Sequence, residues 1–128
     1  MPDTLPNGEW LEVGESLWSE NGEFEFRMQD DGKIAVYQGG DPDNGDDGRC
    51  IWQNTAEQRY DIKGIRMQED GNFCMYTHDG EEPEHCAWHS DTAGDVGDDT
   101  VYCIMQNDGN VVLYKDNDEP IWATNTGR

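Results

Sequence analysis

Four polar side chains recur at alternate positions in the stretch QNDGNVVLY: Gln106, Asp108, Asn110 and Tyr114, with Val112 among them. Two amides, a carboxylate and a phenol at fixed separations make a fan of hydrogen-bond donors and acceptors, and the valine adds a small apolar patch. That combination suits a sugar ring, whose neighbouring hydroxyls each donate and accept and whose C–H groups take an apolar contact. Carried on a rigid strand, such a fan loses little entropy on binding. The site it makes is shallow, and its affinity for a single sugar weak.

The stretch has two siblings. MQDDGKIAVY starts at Met28, MQEDGNFCMY at Met67 and MQNDGNVVLY at Met105, nearly evenly spaced, which implies three copies of one unit. Each copy is followed by a second landmark, CIWQNT, CAWHSDT or IWATNT, so Trp52, Trp88 and Trp122 keep step with Gln29, Gln68 and Gln106. The gap between Gln and Trp shortens from the first copy to the third, and the excess sits in acidic, Gly-rich loops such as GGDPDNGDDG and HDGEEPE. A single domain over residues 1–128 is expected, with repeats at about 11–54, 55–92 and 93–126. Solvation alone explains a polar strand face, but it does not require Gln, Asp and Tyr at identical offsets three times.

Short segments rich in β-branched and aromatic residues must position these side chains. EFEFRMQ, KIAVY, GIRMQ, NFCMY, VYCIMQ and NVVLY are bounded by Asp-Gly or Gly-rich breaks, and no segment shows a helical apolar period, so the chain is all-β. A three-residue loop over Asn107, Asp108 and Gly109, with the glycine left-handed, sets Gln106 opposite Asn110. Gln106, Ile104, Asn110, Val112 and Tyr114 then share one face, and Met105, Cys103, Val111 and Leu113 the other. The second face is apolar and must be core, as are Phe24, Phe26, Met28, Ile34 and Val36 in the first copy and Ile65, Met67, Phe73 and Met75 in the second. Three such sheets bury their apolar faces around a pseudo-threefold axis as a three-sided β-prism, with one Trp from each repeat filling the middle.

Composition removes several function classes. With 29 acidic against 8 basic residues the formal charge is −21, which repels nucleic acid and anionic membrane surfaces. No run approaches the roughly 18 apolar residues of a membrane-spanning helix, so no membrane insertion is expected. The start MPDTLPNGEW lacks the features of a signal peptide, leaving a cytoplasmic location, a removed leader or secretion by a non-classical route. The four cysteines, Cys50, Cys74, Cys86 and Cys103, form no C-x-x-C pair, and their pairing is open. DPDNGDDG fails as an EF-hand loop, with Asp46 where the turn needs Gly and Trp52 where the bidentate Glu belongs. His78, His85 and His89 fall in loop and strand, so neither metal nor cofactor is expected. Glu81 and Glu82 have no neighbour to raise a pKa, no nucleophile or phosphate-loop motif is present, and an enzyme is not expected.

The pattern Gln106-x-Asp108-x-Asn110-x-Val112-x-Tyr114 resembles the mannose-binding signature of the bulb-type, snowdrop-lectin-like lectins, the monocot mannose-binding family with fish and fungal members. GESLWSENGEF resembles the family's opening and PIWATNTG its closing strand, so the likeness covers nearly the whole chain. The resemblance implies a β-prism II fold of three four-stranded antiparallel sheets. It also implies metal-independent, multivalent recognition of terminal α-mannose and high-mannose glycoproteins, and a homodimer formed by exchange of the C-terminal strand. The third copy matches throughout. The second keeps Gln68, Asp70, Asn72 and Tyr76 but has Cys74 for Val. The first keeps Gln29, Asp31 and Tyr37 but has Lys33 for Asn and Ala35 for Val; a Lys33–Asp31 pair is expected to occupy the carboxylate and weaken that site. The disulfide that plant members place between the first Asp-Gly turn and the second repeat is absent, since Gly32 and Lys63 stand there. Two other readings compete: a prism that has lost sugar binding and serves as a protein-interaction or toxin-like module, and a structural role with the charge maintaining solubility.

Overall fold

A computed structural model of the chain describes residues 2–55, 57–94 and 98–127. Twelve short strands form three four-stranded antiparallel sheets. Each repeat supplies three consecutive strands: β4 (Phe24–Met28), β5 (Ile34–Gln38) and β6 (Arg49–Gln53); β7 (Ile62–Met67), β8 (Phe73–Thr77) and β9 (Cys86–His89); β10 (Tyr102–Met105), β11 (Val111–Lys115) and β12 (Glu119–Ala123). The fourth strand of every sheet comes from the N-terminal segment, in reverse order. β1 (Thr4–Leu5) joins β10, β2 (Trp10–Glu12) joins β7, and β3 (Ser16–Trp18) joins β4. Each of these short edge strands buries one leucine, Leu5, Leu11 or Leu17, in the common core. Sequence reading missed this arrangement, because strands of two or three residues carry almost no periodicity.

The core faces are those the alternation predicts. Met105, Cys103, Val111 and Leu113 are fully buried, with Phe26, Met28, Ile34, Val36, Ile65, Met67 and Phe73. Phe26 and Phe73 approach at 6.2 Å across the axis. The three repeat tryptophans do meet, Trp122 lying edge-on to Trp52 at 6.1 Å and to Trp88 at 5.8 Å. They are only half-buried, however, so they close the core while Phe and Met side chains fill its middle.

A bulge explains how they get there. In each sheet the register slips just before the signature tyrosine, between Val36 and Tyr37, Met75 and Tyr76, and Leu113 and Tyr114. The partner strand gains one residue at that point, so Ile51 and Trp52, Ala87 and Trp88, and Ile121 and Trp122 pack against the core as consecutive pairs. Among the described residues no helix is long and apolar enough to cross a membrane.

Candidate functional site

The outward face of each hairpin is organised by its turn. In the third copy Gln106 N–H donates to Asn110 O (2.9 Å) and Gly109 N–H to Gln106 O (3.1 Å), the three-residue loop expected. Gly109 has φ 90°, and a Cβ there would lie 2.7 Å from the Phe24 ring. That combination admits only glycine. Within the loop, the Asp108 carboxylate accepts the Asn110 N–H at 2.9 Å; Asp70 accepts from Asn72 at 2.9 Å and Asp31 from Lys33 at 3.2 Å. One carboxylate oxygen is thereby pinned by its own turn.

The first and last signature residues are joined across the hairpin. Gln106 Nε2 donates to the Tyr114 hydroxyl at 2.6 Å, and Gln29 and Gln68 do the same to Tyr37 and Tyr76. Each tyrosine is backed differently. Tyr114 stacks on Tyr102 at 5.8 Å, Tyr76 packs against Trp10 at 5.9 Å across Gly64, and Tyr37 lies under the Arg27 guanidinium at 4.6 Å. Val112, Cys74 and Ala35, which share the third-from-last position, are all buried as a floor between the polar groups.

The second copy frames a cleft of about 430 Å³, lined by Gln68, Asp70, Asn72, Cys74 and Tyr76 with Glu81, Cys86 and His89. Cys74 Sγ donates to Gln68 Oε1 at 3.3 Å, engaging an acceptor that valine in the third copy leaves alone. Burial, with the adjacent Cys86, pushes the Cys74 thiol up to about 12, so it stays a neutral donor at physiological pH. Burial, with Cys74 beside it, likewise pushes Tyr76 up to about 12. Sequence reading did not assign Glu81, Cys86 or His89 to this site. For His89 a signal existed, since it stands directly after the repeat Trp, where Gln53 and Ala123 stand in the other copies.

The first copy departs from expectation in detail. The Lys33 ammonium does not pair with the Asp31 carboxylate: it donates to Gln53 Oε1 at 3.3 Å, and the residue is only 9 % exposed. Gln53 lies opposite Ala35 in the ladder, so the lysine crosses the floor of its own site to reach the next strand. Asp31 holds only its turn, and Arg27 is taken by Glu25 (2.8 Å) and by Asp47 from the first acidic loop (3.1 Å). Arg27 and Asp47 join Gln29, Asp31 and Tyr37 around a cleft of about 390 Å³. All four cysteines are free thiols, Cys74 and Cys103 buried and Cys50 exposed. Among the described residues no three His, Cys, Asp or Glu side chains are grouped to hold a metal ion.

No protein-family model matches the chain. It is 32% identical over 127 residues to the B-type lectin plumieribetin of Scorpaena plumieri, covering 97% of this chain and 96% of that protein. The chain belongs to the bulb-type lectin family. Among solved structures, monomeric monocot mannose-binding lectins from Gastrodia elata match with TM-score 0.78 and 31% identity over 98% of this chain and 99% of theirs. The mannose-specific agglutinin of snowdrop (Galanthus nivalis), complexed with methyl-α-D-mannoside, matches with TM-score 0.66 and 32% identity over 98% of both chains. The fold is therefore the β-prism II of snowdrop-type lectins, and the chain is a carbohydrate-binding lectin rather than an enzyme.

Proposed function

We propose that this lectin binds terminal α-mannose through its third and second copies, reversibly and without a metal ion. The observation that carries the reading is the third copy. There Gln106, Asp108, Asn110, Val112 and Tyr114 share one face, with the Gln106–Tyr114 bond and the pinned Asp108 turn already made in the free protein. Little ordering then remains for a ligand to impose. The related snowdrop agglutinin, crystallised with a mannoside, supports the choice of sugar. Sites on different sheets make each molecule multivalent, so clustered high-mannose glycans on glycoproteins are held more tightly than free sugar. The acidic surface, with its charge of −21, disfavours sialylated chains. Such glycans are met outside the cell, which suits secretion by a non-classical route.

β12 completes the chain's own sheet beside β11, and exchange of this strand between two copies is the route we propose to a homodimer. Light scattering tests it. A glycan array with mannose competition tests the sugar. Signals confined to mannose-terminated glycans and abolished by free mannose are expected. A folded sample that gives no heat with millimolar mannose in titration calorimetry overturns the reading in favour of a prism without sugar binding.

A further inference from the structure

We infer that the tripeptides after the second and third repeat tryptophans, Ser90-Asp91-Thr92 and Thr124-Asn125-Thr126, are positioning devices that fix which end of the site asparagine faces the ligand. The inference rests on the proposed role of Asn72 and Asn110 in sugar contact.

An asparagine amide has an acceptor end and a donor end of nearly equal size, so only its hydrogen-bond partners decide which way it points. In the third copy Asn110 Oδ1 accepts the Thr126 N–H at 3.2 Å and a share of the single Thr124 hydroxyl proton, at 3.1 Å, the other share going to Thr126 Oγ1 at 2.6 Å. In the second, Asn72 Oδ1 accepts the Thr92 N–H at 3.2 Å and a share of the Ser90 hydroxyl proton, at 3.3 Å, the other share going to Thr92 Oγ1 at 2.7 Å. A flipped amide would turn its NH₂ toward a backbone N–H that cannot accept. The clamp therefore turns Nδ2 outward as the group to meet the ligand, and the ligand atom it meets must be an acceptor; in the second copy Asn72 Nδ2 lies 3.4 Å from His89 Nδ1, which a ligand acceptor would replace.

The tripeptide is itself braced. Thr126 Oγ1 donates to Gly109 O at 2.6 Å and Thr92 Oγ1 to Gly71 O at 2.7 Å, tying each clamp to its own turn. Thr124 Oγ1 and Ser90 Oγ also accept the N–H of Val111 (3.1 Å) and Phe73 (3.0 Å). The middle residues, Asn125 and Asp91, both have φ 60°, a left-handed conformation that Asn and Asp tolerate better than most.

The first copy has lost both halves together. Lys33 offers no acceptor, and the corresponding tripeptide reads Asn54-Thr55-Ala56, with β-branched Thr55 at the middle position and no hydroxyl at its last. Asn54 Oδ1 still accepts the Ile34 N–H at 3.0 Å, as Thr124 does for Val111, but its Nδ2 is buried with no partner among the described residues. An orphaned donor where the other copies have a clamp is what loss of the asparagine acceptor leaves behind.

Three variants of the full chain test this by NMR of the Asn110 side-chain amide and by titration with methyl-α-mannoside resolved by site. Thr124→Val is expected to shift the Asn110 amide signals in sugar-free protein and to weaken the third site by roughly three- to tenfold, with the second site unchanged; Thr124→Ser restores both. Asn110→Asp keeps the clamp's acceptor oxygen but removes the outward donor, so it is expected to melt near the parent temperature and lose third-site binding. Parent-like Asn110 signals in Thr124→Val overturn the inference, as does undiminished third-site affinity in Asn110→Asp. If mannoside leaves Asn110 unperturbed in the parent protein, it is the sugar reading that fails, and the sugar-free amide signals still decide the clamp. If Thr124→Val does not fold, Asn110→Asp decides.

Discussion

Set side by side, the first and third copies share a turn, a bulge and a Gln–Tyr bond, yet one is an open fan of polar groups and the other is crossed by a lysine. Their inward faces explain the common part: Met28, Ile34 and Val36 fill the same core as Met105, Val111 and Leu113, and all six are fully buried. Their outward faces are under no such constraint. Lys33 reaches Gln53 and, among the described residues, Asn54 Nδ2 has no acceptor, while Met28, Ile34 and Val36 stay fully buried, so the outward face can change while its sheet stays intact. The second copy stands between them, complete in its polar groups but with a thiol bonded to the glutamine.

The widest test of this contrast is Asp108→Ala against Asp31→Ala. A hydrogen bond to a charged group contributes about 1.5–3 kcal/mol, so Asp108→Ala should cut third-site mannoside affinity roughly ten- to hundredfold, while Asp31→Ala leaves total binding unchanged. Equal losses in calorimetry would erase the distinction. Next in size is repair: Lys33→Asn with Asn54→Thr and Ala56→Thr restores acceptor and clamp together, and should raise the number of mannosides bound per chain by one. Lys33→Asn alone, without the clamp, should give a weaker added site, and equal affinity in the two variants would separate the asparagine from its positioning. A smaller effect is expected from Cys74→Val, which frees Gln68 Oε1 and should tighten the second site a fewfold; weaker binding would show that the thiol helps rather than competes. The smallest concerns pH. Tyr76 titrates near 12 when folded against about 10 in an unfolded chain, so its neutral form favours folding. That contribution is complete below pH 10 and lost as pH rises toward 12. Melting temperatures should fall less steeply across that window in Tyr76→Phe.

Much of this was legible in the sequence because it is local. A turn and its flanking alternation fix the register of each hairpin, and with it the two faces, so Met105 and Gln106 can be assigned to opposite sides from ten residues. What escaped depends on strands far apart in the chain. Lys33 and Asp31 are neighbours in sequence, yet the lysine's partner, Gln53, arrives on β6 after the acidic loop, and no local rule identifies it. The tryptophans were placed too deep because their inward turn depends on a bulge, which adds one residue to a strand without marking it. The edge strands are too short to show a period, and Leu5 and Leu11 have meaning only against sheets formed much later in the chain.

That last arrangement sets the order in which the molecule can be completed. Residues 4–18 leave the ribosome before any of the strands they pair with, and Thr4 must wait for Ile104. Until then β3 has β4 to lie on and β2 has β7, while the β1 end of the ribbon, with Leu5, has no sheet to join. The topology permits closure only from β3 back to β1 as each repeat appears during synthesis, like a drawstring that cannot be pulled tight before the third repeat is made.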